Sequence, residues 1–228
     1  MYYYAWFVLS VIMLAVWAAI YLSLKNKTAR REIFVVSAWT SLLGLTEPLF
    51  VPAYWNPPSL FNLAERTGFD LESLLFAFAV GGIVVSAYEY IFAAKHLSIS
   101  HSHRRHRFHL LALASPPITL LVFLIFLPVN VIYSASLALL IGFFFTCYCR
   151  PDLVRKMAVS GALFTVIYFL SFFTLRVLFP GYVEAVWNLS ALSGWFVVGV
   201  PVEELLWAFT FGLYWSSVYE HLTWRKII

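Results

Sequence analysis

Glu72-Ser-Leu-Leu-Phe-Ala-Phe-Ala-Val-Gly81 and Glu203-Glu-Leu-Leu-Trp-Ala-Phe-Thr-Phe-Gly212 are near-copies of one segment. The likeness continues through Ser86-Ala-Tyr88-Glu89 and Ser217-Val-Tyr219-Glu220 at the same offset of 131, so that 9 of the 18 positions are identical. Chance in a chain of this composition gives roughly two. Upstream, Trp55-Asn56 and Trp187-Asn188 correspond after a one-residue gap. Each copy therefore reads as an amphipathic loop, a Trp-Asn pair, and an apolar run entered through an acidic residue, which makes the chain an internal repeat.

Outside these copies the chain remains apolar. Of its 228 residues 62% are hydrophobic and 11% charged, and the mean hydropathy is +0.85. Soluble domains carry about 25% charged residues, so this surface belongs in lipid, where a span needs roughly 20 apolar residues. Runs separated by charge or proline predict about seven spans, near 3–24, 33–50, 70–94, 108–127, 130–149, 157–178 and 200–222. The first is long enough to span and has no small-residue cleavage site, so it reads as a span and not as a signal peptide.

Charge placement agrees with an odd number of spans. Of the 15 Lys and Arg residues, 13 fall between spans 1 and 2, 3 and 4, and 5 and 6, or after span 7, and only Arg66 and Arg176 fall on the other side. By the positive-inside rule the N-terminus lies outside and the C-terminus inside, with the plasma membrane as the expected location. The fold class expected is an all-α membrane protein in a 3+1+3 parallel-repeat arrangement. Residues 1–95 form the first three-helix repeat, 96–128 a basic loop and linker span, and 129–228 the second repeat. One linking span gives both copies the same orientation, about a pseudo-twofold axis along the membrane normal. Pro116-Pro117 should kink or interrupt the linker span.

Acids inside spans point to function. Glu47 ends span 2, Glu72 and Glu203-Glu204 open spans 3 and 7, and Glu89 and Glu220 lie 17 residues further along, about 25 Å at 1.5 Å per residue. The acids thus form two layers. Asp70 reads as an N-cap and Pro201 as a first helical residue. Glu89 and Glu220, beside Lys95 and His221, read best as acids reaching the interface. The adjacent pair Glu203-Glu204 is harder to explain by helix dipoles alone, and two close carboxyls in an apolar setting can hold the proton an acid catalyst needs. Most of the aromatic residues around them read as packing or lipid-facing groups, though π-faces could also shield a carbocation.

The stretch His96–His109 contains five of the six histidines and three arginines. It reads as a headgroup-facing basic loop, since its cations oppose a divalent ion. Cys147 and Cys149 suggest no disulfide framework. The sequence has no phosphate-binding glycine loop, no dinucleotide fingerprint, no Ser-His-Asp order and no aspartate-rich diphosphate site.

The stretch Ala185-Val-Trp-Asn-Leu-Ser-Ala-Leu-Ser-Gly-Trp-Phe-Val-Val-Gly-Val-Pro-Val-Glu-Glu204 resembles the lycopene cyclase domain family, the integral-membrane, non-flavoprotein carotenoid cyclases that often carry two such domains in tandem. The first copy departs from the motif, with Asp70 in place of the proline and Ser73 in place of the second acid. The resemblance implies an intramembrane isomerase that cyclises the end groups of a carotenoid or related isoprenoid by acid. Glu203, Glu204 and Glu72 are then the expected catalytic residues, with Glu47 secondary. Trp55, Asn56, Phe76, Trp187, Asn188, Trp207, Tyr88 and Tyr219 are the expected substrate-binding residues. It implies no cofactor and no metal. The expected partners are a lipophilic polyene and the bilayer, with no nucleic acid, and homo-oligomerisation is left open. Two alternatives stand beside it. One is a small-solute transporter, because a 3+1+3 layout also resembles the PQ-loop families, whose Pro-Gln pairs this chain lacks. The other is a non-catalytic membrane protein that binds a carotenoid or another partner.

Overall fold

The computed structural model describes residues 2–94, 96–98 and 108–227. Lys95 and most of the histidine-rich stretch (His101, His103, Arg104, Arg105, His106 and Arg107) lie outside the described residues. The protein is an all-α membrane protein. Among the described residues six helical segments are long and apolar enough to cross a bilayer: Ala5–Ser23, Lys27–Phe50, Leu71–Phe92, His109–Phe126, Val131–Cys149 and Pro151–Leu178.

The first of these is α1 (Ala5–Ser23). The second is composite: α2 (Lys27–Ser41), a 3-10 turn over Leu42–Thr46, and the single turn α3 (Glu47–Phe50). Asn26 caps α2, its side chain accepting from the Thr28 N–H at 2.9 Å. The turn α4 (Leu63–Thr67) precedes α5 (Leu71–Phe92). The expected cap of α5 is present, with Asp70 accepting from the Ser73 N–H at 2.5 Å. Next come α6 (His109–Phe126), α7 (Val131–Cys149) and α8 (Val154–Leu178), then the short α9 (Tyr182–Val186).

The expected seventh span is divided. α10 (Val202–Trp215) stops at Ser216–Ser217, and α11 (Val218–Thr223) resumes beyond it. The Ser217 hydroxyl bonds back to the Tyr214 carbonyl at 2.9 Å, the local competition with the helix ladder that serine brings. Fourteen residues give about 21 Å, short of the ~30 Å hydrocarbon thickness. α10 begins at Val202, so Pro201 sits at the cap position and not inside the first turn. Two small antiparallel ladders complete the structure: β1 (His96–Ser98) with β4 (Arg225–Ile227), and β2 (Phe196–Val197) with β3 (Val200–Pro201).

Within the first half α5 packs on both α1 and α2, and within the second α10 packs on both α7 and α8. The halves meet where α8 packs on α5 and α1. Because lipid is as apolar as leucine, such packing rests on close approach and interhelical hydrogen bonds. Gly212 of α10 crosses Gly161 of α8 so tightly that a Cβ on Gly212 would fall 2.7 Å from the Gly161 Cα.

α6 runs unbroken through Pro116 and Pro117. Two prolines free the carbonyls four residues earlier, on Ala112 and Leu113. The Tyr214 hydroxyl, reaching over from α10, donates to the Leu113 carbonyl at 3.0 Å and lies 3.5 Å from that of Ala112, while Ser115 Oγ donates to Ala112 at 3.1 Å. The expected interruption is thus repaired by a neighbouring helix and a local serine, as in other membrane helices that contain proline.

Candidate functional site

The two Trp-Asn pairs lie against each other. The Asn56 N–H donates to the Val186 carbonyl and the Asn188 N–H to the Tyr54 carbonyl, both at 2.9 Å, making an antiparallel bridge between Trp55 and Trp187. Their indoles are 5.2 Å apart between ring centroids. The amides of Asn130 and Asn188 both donate to the Ala53 carbonyl, at 2.8 and 3.2 Å. This clasp brings Tyr54, from the first half of the chain, beside Trp187, from the second.

Both side chains converge on Glu204. Its Oε1 accepts from the Tyr54 hydroxyl at 2.5 Å and from Trp187 Nε1 at 2.7 Å, and its Oε2 accepts from the Tyr168 hydroxyl of α8. Three donors and no free acceptor oxygen suit an ionised carboxylate, to which hydrogen bonds are strongest. Burial, and after it the negative charge of Glu204, push the Tyr54 phenol well above its usual range, so that Tyr54 remains a donor.

Glu47 is placed differently. It is buried at the start of α3, and its Oε2 accepts from Ser73 Oγ at 3.0 Å. Its Oε1 has no hydrogen-bond partner among the described residues. Ser73 stands at the position that the 131-residue offset pairs with Glu204. In the first half, then, the carboxyl group at this place comes from the end of span 2 and not from the head of span 3.

Glu47 and Glu204 line one cavity of about 590 Å³. Its walls are almost wholly apolar and join both halves to α6 through Leu113, Pro116 and Pro117. Four ring faces run along it in sequence. Phe76 stacks on Trp207 with ring centroids 6.4 Å apart, Trp207 on Phe211 at 5.1 Å, and Phe211 on Trp215 at 5.3 Å. Stacked π-faces of this kind present negative charge to a cation.

The other two expected acids do not line this cavity. Glu72 Oε1 accepts from the Leu60 N–H at 2.6 Å, and Glu203 Oε1 accepts from the Ser193 N–H at 2.8 Å and the Tyr133 hydroxyl at 2.6 Å. Each ties the loop ahead of its helix to the helix start. The adjacent Glu203 and Glu204 diverge because neighbouring helical residues point about 100° apart. Among the expected binding residues Trp55, Phe76, Trp187 and Trp207 line the cavity. Asn56 and Asn188 serve the clasp. Tyr88 packs at a tilt against Phe92, and Tyr219 packs with Val36 and Val85; neither tyrosine lines the cavity. Tyr54, Tyr168 and Tyr133 are not legible in the sequence, where a hydroxyl in an aromatic-rich span carries no distinguishing pattern, and Ser73 stands out there only as a departure from the motif.

The second acid layer is buried within the protein. Glu89 and Glu220 are buried with Glu32 around the Nζ of Lys156. Lys156 bonds to Glu220 and, at 2.9 Å, to Glu89, and it lies 3.7 Å from Glu32. The expectation that Glu89 and Glu220 reach the interface is corrected: a buried cation from α8 holds them inside.

The apolar helices define an all-α membrane protein, and between them two buried carboxyl groups, of Glu47 and Glu204, line one apolar cavity. Residues 130–222 match the family model described as lycopene cyclase. The match takes in α7 to α11 and includes Glu203, Glu204, Trp187 and Tyr168. No curated protein and no solved structure matches the chain.

Proposed function

We propose that the protein is an intramembrane isomerase that cyclises the end group of a carotenoid or related isoprenoid by acid. Glu47 and Glu204 act as the proton-handling pair. The observation that carries this reading is that the two halves each contribute one buried carboxyl group to a single apolar cavity walled by aromatic faces. The chemistry follows from their different surroundings. Glu47, with one donor and one oxygen left over, supplies the proton to the terminal alkene. The tertiary cation formed is attacked by a neighbouring double bond, closing a six-membered ring beside the stacked aromatics. Glu204, held by three donors, receives the proton lost as the ring alkene forms. One proton enters and one leaves, and no oxidant or reductant is consumed. Glu72 and Glu203 act as positioning residues for the loops that close the cavity.

The site is composite, which makes one working centre per chain from repeats at 1–95 and 129–228. The polyene enters from the bilayer. The cationic ends of the spans face the cytoplasm, with the N-terminus outside and the C-terminus inside the plasma membrane.

The test is expression in lycopene-accumulating cells with product analysis. Ring-bearing products should form. Glu47→Gln should abolish them while Glu72→Gln retains part of the activity. Unchanged lycopene beside folded, inserted protein would refute the cyclase reading, and full activity in Glu47→Gln would refute the acid pair.

A further inference from the structure

At the opposite end of the bundle from Glu204, three metal-ligating side chains converge. They are His109 in the first turn of α6, Cys149 at the last residue of α7, and His221 in α11. One ligating atom from each lies within 4.8 Å of the other two. We propose that these three residues form a zinc(II) site that fastens the end of span 7 to α6 and α7.

Four observations support it. First, His221 Nε2 lies 3.4 Å from Cys149 Sγ. Zn–N and Zn–S bonds of about 2.05 and 2.3 Å meeting at a tetrahedral angle put nitrogen and sulfur about 3.6 Å apart, so the pair already stands at ligand spacing. Second, the His109 and His221 rings are nearly perpendicular, with centroids 4.4 Å apart, and His109 stacks on Trp224 at 4.2 Å, which sets the plane of its imidazole. Third, Cys149 and His221 are buried, and a thiolate with two imidazoles is a donor set suited to zinc. Fourth, the neighbouring Arg150 is paired with Asp152 at 2.7 Å, which offsets the cation that would otherwise oppose a metal here.

The site also answers a structural need. Span 7 is broken at Ser216–Ser217, so α11 is a 6-residue helix joined to the bundle beyond a break. A metal bridging it to two long helices would fix its position. On binding, the Cys149 thiol passes its proton to solvent as the Zn–S bond forms, and three protein ligands leave a fourth position for water. The other cluster of ligating groups, Glu32, Glu89 and Glu220, already holds the Lys156 ammonium.

The full chain, purified in detergent and stripped with a chelator, would be titrated with cobalt(II) as a spectroscopic stand-in. One equivalent should produce a thiolate-to-cobalt charge-transfer band, and one equivalent of zinc should bleach it. Cys147→Ser should keep the band and Cys149→Ser should lose it. Zinc-edge X-ray absorption on the wild-type chain tests the same point without a variant, and should show one sulfur neighbour at about 2.3 Å. A wild-type chain with no thiolate band, a band that survives Cys149→Ser but not Cys147→Ser, or a zinc shell of nitrogen and oxygen only would overturn the proposal. The last result would place the metal on the histidine-rich stretch instead.

Discussion

Glu204→Gln separates chemistry from architecture at the proposed site. The substitution keeps the size of the side chain and removes its charge. The amide oxygen can still accept from Tyr54 and Trp187, and the amide N–H₂ can donate to Tyr168 if that hydroxyl turns. Three hydrogen bonds to a charged acceptor become neutral ones, a loss of about 1 kcal/mol each. Removing a buried charge returns a comparable amount, so the fold should be nearly as stable as before. The reaction should suffer far more. Loss of a positioned acid–base group costs roughly 10²- to 10⁴-fold in rate, or about 2.7–5.4 kcal/mol of barrier. The assay is the ring-bearing product per inserted protein in lycopene-accumulating cells, with thermal unfolding of the purified variant in detergent alongside. Product within tenfold of wild type would refute the assignment. So would a loss of product that merely follows a loss of folded protein.

Three further predictions concern what holds the site in place. Tyr214→Phe leaves the Leu113 carbonyl freed by Pro117 without its donor and should lower stability by about 1–3 kcal/mol, read as an earlier thermal transition in detergent. Gly212→Ala should cost about 1–3 kcal/mol by forcing α10 from α8, because the new methyl would meet backbone and not a movable side chain; an unchanged transition would show that the crossing is looser than drawn. Lys156→Met leaves Glu32, Glu89 and Glu220 buried without their shared lysine and should destabilise by about 3–5 kcal/mol. Adding Glu89→Gln to that variant should recover part of the loss, and no recovery would argue against charge as the cause.

Much of this protein is legible from its sequence. Apolar runs near 20 residues leave lipid as their only solvent, since every backbone group must be bonded within the segment, and six such helices appear close to their expected positions. Asp70 is recognisable as a cap because its short acceptor sits three residues ahead of the N–H it binds. The Pro-x-Glu-Glu stretch lies within residues 130–222, the part of the chain that matches the lycopene cyclase family model.

The roles of individual acids were not legible, because they depend on which way each side chain turns and what meets it from elsewhere in the chain. Glu203 and Glu204 are equivalent as letters, yet the helix turns one to a loop and the other to the cavity. Glu47 looked secondary until Ser73, 26 residues away, proved to be its partner. Tyr54 reaches Glu204 across 150 residues, through a clasp of two Trp-Asn pairs that only packing of the halves can close. The sequence alone determined where chain meets lipid, because that is set by the local density of apolar groups. The tertiary structure decided which carboxyl groups share a cavity, because that depends on contacts between residues far apart in the chain.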